Sequence, residues 1–211
     1  MFIKNCLTAK KEIVTVTPDT NAKELFHTLE TNQLDSIPVI DMDGHFLGIT
    51  GYSYVMKSLI NRGFEDWEQL TVRDALHVME PLAIDSDFEK TLPVIVRYPF
   101  VPIVAEDNRT FLGIVKISDI EAVLTDTYGH KLPGVRFLLA VIPDLPRELE
   151  HLMNAISDFE VNIISVVTFD AGDSAARRIL LKIHPTSYTD AIRRRLGEKG
   201  FRVLNVKEIT P

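Results

Sequence analysis

Apolar residues recur along this chain in two alternating rhythms. Ala22, Leu25, Phe26 and Leu29 stand three and four positions apart, the spacing of one face of an amphipathic helix. Short β-rich runs flank that stretch, Ile13–Val16 before it and Ile37–Ile40 and Phe46–Thr50 after it. Thr17-Pro18-Asp19 closes the first run, and Asp43-Gly44 between the other two is a hairpin signal. A second helical spacing carries Val55, Met56 and Leu59 inward and stops near Gly63, a suitable residue just beyond a helix end. The predicted order is β-α-β-β-α.

The same order is then written again. Phe46-Leu47-Gly48-Ile49 returns as Phe111-Leu112-Gly113-Ile114, and the helices that follow end at Leu59 and Leu124, all at an offset of 65. Upstream, Ser36-Ile37-Pro38-Val39-Ile40 matches Phe100-Val101-Pro102-Ile103-Val104 at 64, and Val14-Thr15-Val16 matches Leu82-Ala83-Ile84 at 68. A repeat of this size predicts two copies of one unit that bury their apolar faces together, with a pseudo-twofold cleft between them. Repeat one spans about residues 1–63 and repeat two about 71–128, joined by a connector, Phe64–Leu70, that holds Trp67. Pro93 falls inside the middle helix of repeat two, which is about four residues shorter than its counterpart and is expected to be short or kinked.

Thr125–Gly134, with Gly129, Pro133 and Gly134, reads as an interdomain linker, so the first domain is placed at 1–128 and a second at 134–211. There Val135–Ile142 is a strand, and Pro146 is expected in the first turn of a helix whose buried stripe is Leu149, Leu152, Met153, Ile156 and Phe159. Val161–Phe169 and Arg178–Ile183 are strands joined by a polar loop, Asp170–Ala176. Ser187-Tyr188-Thr189-Asp190 resembles a capping box for a last helix ending at Gly200, and Phe201–Ile209 closes the chain. The fold class is thus α/β in the broad sense (α+β), a doubled β-α-β-β-α unit followed by a ferredoxin-like β-α-β-β-α-β domain.

Charge narrows the functional classes. Residues 1–130 carry 11 basic and 20 acidic side chains, a balance of −9, and residues 131–211 carry 12 and 10, a balance of +2. Such a first half argues against a nucleic-acid partner, which needs clustered positive charge. Arg193-Arg194-Arg195 is the one basic run and reads as a solvated helix face. No apolar run approaches the roughly 18 residues of a membrane span, and the N-terminus lacks a signal-peptide pattern, so no membrane partner is expected. The single cysteine, Cys6, fits a reducing cytoplasm.

The doubled unit resembles a pair of cystathionine-β-synthase (CBS) domains, a Bateman module. Val14-Thr15-Val16-Thr17-Pro18, Ser36-Ile37-Pro38-Val39-Ile40-Asp41 and Phe46-Leu47-Gly48-Ile49 carry it in one copy, and Phe100–Val104 with Leu112-Gly113-Ile114-Val115 through Asp119 in the other. The tail resembles an ACT domain through Ile142-Pro143-Asp144-Leu145-Pro146 and Val161–Val166. The order of domains resembles the bacterial acetoin-utilisation protein B family. The resemblance implies AMP, ADP, ATP or another adenosyl ligand in the cleft, a homodimer formed through helices, and a regulated protein partner. The family pattern Gly-hydrophobic-x-Ser/Thr-x-x-Asp reads Gly113-Ile114-Val115-Lys116-Ile117-Ser118-Asp119 in repeat two. By resemblance Asp119 takes the ribose, Lys116 and Ser118 lie toward the phosphate, and Phe100, Val101 and Pro102 lie near the base. Asp119 also reads as a carboxylate favourable at a helix N-terminus. Repeat one has Gly51 and Tyr54 at the two polar positions, so its site is not expected to bind a nucleotide in the usual way. In the ACT-like domain the usual Asp-x-Pro-Gly reads Asp144-Leu145-Pro146-Arg147, and Arg147 fills the space that glycine leaves for an amino acid. That end then reads as a dimerisation or docking surface, with amino-acid binding as the alternative.

No catalytic residues are expected. Gly51-Tyr52-Ser53-Tyr54-Val55 lacks the second glycine of a nucleophile elbow, and no Gly-rich phosphate loop occurs. The six histidines form no His-x-x-x-His pair, so no metal site is expected. The carboxylates at Asp41/Asp43, Asp85/Asp87 and Glu106/Asp107 read as turn residues. The expected protein is a non-catalytic cytoplasmic regulator that needs no cofactor and whose CBS pair senses an adenosyl ligand. A ligand-free interaction scaffold and an amino-acid sensor are the rival readings.

Overall fold

In the computed structural model residues 2–62, 69–142, 145–170, 172 and 177–210 are described. The chain divides into two compact units, Met1–Glu121 and Ala122–Pro211.

The first unit holds the repeat. In its first copy, helix α1 (Ala22–Thr31) starts on Asn21, whose side chain accepts the backbone N–H of Glu24 at 2.8 Å. Ala22, Leu25 and Leu29 are buried on its inner face, as the spacing predicts, with Phe26 at the edge of the same core. Strands β2 (Ser36–Ile40) and β3 (Phe46–Gly51) form the hairpin, and α2 (Tyr52–Arg62) follows. Val55 and Leu59 are buried on α2, but Met56 faces out at 48% exposure, contrary to expectation. Gly63 and the Phe64–Glu68 part of the connector lie outside the described residues.

In the second copy, strand β4 (Leu82–Ala83) runs parallel to β5 (Phe100–Val104), which pairs antiparallel with β6 (Phe111–Lys116), and α4 (Ile117–Thr127) follows. The middle helix α3 (Thr91–Ile95) is a five-residue remnant around Pro93, the shortening the proline predicts. Both hairpins carry a register shift at the same place, between Val39 and Ile40 and between Ile103 and Val104.

The sheets do not stay within their own repeats. Strand β1 (Thr8–Ala9), at the front of repeat one, adds to β6 of repeat two, giving the order β1-β6-β5-β4. Reciprocally His77, at the front of repeat two, exchanges two backbone hydrogen bonds with Ile49 of β3, at 2.8 and 2.9 Å. The crossing strand passes over a glycine in each case. Gly48 and Gly113 hold φ of +153° and +154°, and a Cβ there would lie 2.4 Å from the His77 carbonyl oxygen or 2.1 Å from that of Thr8. This accounts for the glycine in both Phe-Leu-Gly-Ile segments. The strand expected at Ile13–Val16 is reduced to a single parallel bridge, Val16 to Val39. The two repeats meet at Phe46 and Phe111, whose rings stack 5.6 Å apart. Phe46 N–H donates to the Arg109 carbonyl and Phe111 N–H to the Gly44 carbonyl, at 2.9 and 3.0 Å, as pseudo-twofold symmetry requires.

The second unit has strands β7 (Gly134–Val141), β8 (Ile163–Asp170), β9 (Arg177–Ile183) and β10 (Arg202–Ile209), with helices α5 (Glu148–Ile156) and α6 (Thr189–Glu198). The antiparallel order β10-β7-β9-β8 is the split βαβ arrangement. Val135, Phe137, Leu139 and Val141 alternate into the core with Ile179, Leu181 and Ile183, against Leu152, Ile156, Ile192 and Leu196 of the helices. Leu149, expected in that stripe, lies in the first turn of α5 and is 44% exposed, and Pro146 precedes the helix rather than entering its first turn. The capping box expected at Ser187–Asp190 does not form; the N-cap of α6 is Tyr188, without a side-chain cap. The segment read as a linker is helical to Thr127 and anchored beyond it. Tyr128 O accepts from Ser165 Oγ at 3.1 Å, while Gly129 O and Leu132 O accept from the buried Lys182 Nζ, both at 2.6 Å. Most of the loop read at Asp170–Ala176 lies outside the described residues.

Candidate functional site

The cleft between the repeats has a volume of about 540 Å³. It is built from four short stretches of the first unit. Pro99 and Phe100 lead into β5, and Lys116, Ile117 and Ser118 span the junction of β6 and α4. From repeat one come Glu12, Ile13 and Val14, and opposite them the end of α1 and the start of β2, Asn32 through Ser36. Ile13, Val14, Leu34, Pro38 and Ile114 supply an apolar slot of the kind a base needs. Asn32, Gln33, Ser36 and Ser118 supply neutral polar groups around it.

Of the residues singled out by sequence, Phe100, Lys116 and Ser118 line this cleft. Val101 and Pro102 are buried within β5 and are not among its lining. Asp119 stands in the first turn of α4, half-buried, and its Oδ2 accepts the backbone N–H of Lys116 at 3.2 Å. That contact is half of a capping box, with the third helical residue reaching back to the residue before the helix. The Cys6 thiol is pushed up by burial and by the nearby Asp119 charge, so it is a poor thiolate. Sequence reasoning missed the contribution of repeat one, Glu12–Val14 and Asn32–Ser36. Applying the repeat offset across the pseudo-twofold, rather than within one copy, is the signal that finds them.

At the equivalent position in repeat one an aromatic side chain replaces the carboxylate. Tyr54, at the place of Asp119, stacks on the His77 ring, with centroids 5.0 Å apart and planes at 17°. His77 Nε2 is 3.2 Å from the Tyr98 hydroxyl, and their rings lie 5.6 Å apart. Burial, with a smaller effect from Tyr98, raises the Tyr54 phenol above its ordinary range. Three rings therefore stand where repeat two has a carboxylate.

The hairpin tips carry the remaining polar clusters. Asp107 accepts from the N–H groups of Arg109 and Thr110 and from the Thr110 hydroxyl, and these bonds, the hydroxyl foremost, lower its carboxyl to about 2. Asp41, Asp43 and His45 bring possible ligand atoms within 4.8 Å of one another. The Asp41 carboxylate is occupied there by the N–H groups of Asp43 and His45 and by His45 Nδ1, and it is lowered chiefly by the His45 N–H. These are turn-forming bonds.

Comparison with known families matches residues 5–61 to the CBS domain. The first unit carries a CBS domain. Among solved structures, a CBS domain-containing protein from Bacillus anthracis aligns with a TM-score of 0.54 at 22% identity, covering 59% of this chain and 93% of its own. The CbpB protein of Listeria monocytogenes, solved in complex with c-di-AMP, aligns with a TM-score of 0.52 at 22% identity over 61% of this chain and 98% of its own. A protein called CBSX2, solved with AMP, gives 0.50 at 17% identity over 59% and 96%. At these identities the likeness is one of fold. A comparison with curated proteins finds no match. Among the described residues no helix is long and apolar enough to cross a membrane.

Proposed function

We propose that this chain is a non-catalytic cytoplasmic regulator whose CBS pair binds one adenine nucleotide, or a related adenosyl ligand, per chain. The observation that carries the reading is the asymmetry of the two equivalent positions. One is an open cleft of about 540 Å³ with an apolar slot, Lys116 and Ser118; at the other the rings of Tyr54, His77 and Tyr98 stack in place of a carboxylate. CBS folds solved with AMP and with c-di-AMP support the ligand class. In this reading Lys116 meets phosphate, Ser118 lies beside it, and Phe100 flanks the base. Asp119 takes the ribose hydroxyls by leaving the Lys116 N–H.

The βαββαβ order of the second unit supports its likeness to an ACT domain and, with the CBS fold before it, to the acetoin-utilisation protein B family. We take this unit as the part that meets a regulated protein. Tyr52, Met56 and Ile60 stand exposed at 40%, 48% and 64%, four residues apart along α2, and we assign that stripe to a homodimer. A monomer in light scattering at micromolar concentration would remove the dimer from this reading.

Calorimetry with AMP, ADP, ATP, NAD, S-adenosylmethionine and c-di-AMP tests the ligand. The expected result is binding of at least one of them at one site per chain, with a matching rise in melting temperature. Two equivalent sites per chain, or no binding by any of them, would overturn it.

A further inference from the structure

We infer that the cleft discriminates by charge, accepting adenosyl ligands with no more than about two negative charges and excluding polyphosphates, through Glu12 and Asp35. This rests on the reading above and names which member of that ligand class the site takes.

The charged residues that line the cleft are Lys116 on one side and Glu12 and Asp35 on the other. A triphosphate site ordinarily gathers several cations or a nest of free backbone N–H groups. Here a single cation, Lys116, lines the cleft. The whole segment 1–130 has a balance of −9, so no distant positive field offsets Glu12 and Asp35.

Size makes these charges count. A volume of about 540 Å³ corresponds to a cleft roughly 8 Å across, about one Debye length at physiological ionic strength. A ligand phosphate inside it lies within about one Debye length of the carboxylates and feels their charge, the more strongly the lower the salt. One terminal phosphate carries about −1.5 to −2 charges and has Lys116 to meet it. Each phosphate beyond the first adds negative charge without a further cation to receive it, and pushes it toward Glu12 or Asp35. Among the described residues neither carboxylate has a cation bonded to it, and both are exposed.

The test is calorimetry on the full chain with EDTA, comparing AMP and ATP at about 0.05 M and about 0.5 M sodium chloride. For the wild type AMP is expected to bind at least about ten-fold more tightly than ATP at low salt. Raising the salt should improve ATP binding, the reverse of the usual behaviour of a polyanion at a cationic site. In the double variant Glu12→Gln, Asp35→Gln the gap should shrink to less than about three-fold at low salt, mainly through tighter ATP binding. Equal binding of AMP and ATP by the wild type, or an unchanged gap in the double variant, overturns the charge filter while leaving the nucleotide reading standing. Absence of binding by both nucleotides, and by c-di-AMP, overturns the two together.

Discussion

The carboxylate of Asp119 reaches back 3.2 Å to the backbone N–H of Lys116 and so closes the first turn of α4. Asp119 therefore has structural work of its own, and in the proposed reading a bound ribose competes with it. The two roles separate by substitution. Asp119→Asn keeps an acceptor for the Lys116 N–H, whereas Asp119→Ala leaves that donor uncapped, at a cost of about 0.5–1 kcal/mol in urea denaturation. Both variants lose the charged acceptor for ribose, worth about 1.5–3 kcal/mol or ten-fold and more in nucleotide affinity. Calorimetry showing unchanged affinity in both would reduce Asp119 to a helix cap.

The aromatic plug in repeat one predicts a stability cost where repeat two would show an affinity cost. Tyr54 packs on His77 and carries the Lys57 ammonium 5.5 Å above its ring. Tyr54→Ala removes a stacked pair worth about 0.5–1.5 kcal/mol together with half-buried area, so a loss of about 1–3 kcal/mol is expected by chemical denaturation. Nucleotide stoichiometry should stay at one, because Gly51 still leaves this position without a polar partner for phosphate. A stability change below about 0.5 kcal/mol would show that the three rings do not act as a plug.

Acid sensitivity follows from the hairpin tip of repeat two. Asp107 is held at about 2 against an ordinary 3.8 by the Thr110 hydroxyl and two backbone N–H groups. A carboxyl depressed on folding stabilises the native state above its unfolded pKa and loses that contribution as pH falls through its folded one. The stability difference between wild type and Asp107→Asn should thus be constant above about pH 5, shrink below 3.8 and vanish near pH 2. A difference independent of pH across that window, measured by urea denaturation, would contradict the assigned bonds.

The legible parts of the sequence are those where a repeat or a period constrains many positions at once. The constant offset placed Phe46 against Phe111 in homologous roles, and the spacing on α1 found its inner face. The exchange of strands between repeats was not legible, because Thr8–Ala9 and His77 are pairings of one or two residues and carry no periodicity. Only the glycine in each Phe-Leu-Gly-Ile segment hinted that a backbone passes close by. The replacement of a family carboxylate by Tyr54 was visible in sequence, but its partners His77 and Tyr98 lie far along the chain and look like ordinary loop residues. Asn32–Ser36 stayed hidden for a similar reason, since polar residues after a helix are what any solvated helix end shows. In the second unit Leu149 and Pro146 were misplaced because the helix starts after Arg147, a boundary set by backbone conformation and not by apolar spacing.

Arg147 itself supplies the last prediction. It was expected in the first turn of a helix, where glycine would cost up to about 1 kcal/mol. It stands instead just before α5 with φ of +74° and ψ of 15°, a left-handed conformation that strains a residue with a Cβ. Its guanidinium reaches Glu150 through two bonds of 2.7 Å, both at the surface. Arg147→Gly relieves the strain, by about 1 kcal/mol, and gives up an exposed ion pair worth about 0–1 kcal/mol. Arg147→Ala gives up the pair and keeps the strain. The expected stability order is Gly at or above wild type, then Ala, read from denaturation midpoints at low salt. Wild type is also expected to show no change in melting temperature with free amino acids, because the chain carries an arginine where a glycine would leave the backbone bare. A clear amino-acid-dependent shift in wild type, mapped to this turn by backbone NMR, would instead raise the amino-acid sensor above the nucleotide reading. An alanine variant more stable than the glycine one would show that the left-handed turn at Arg147 is not what sets the start of α5.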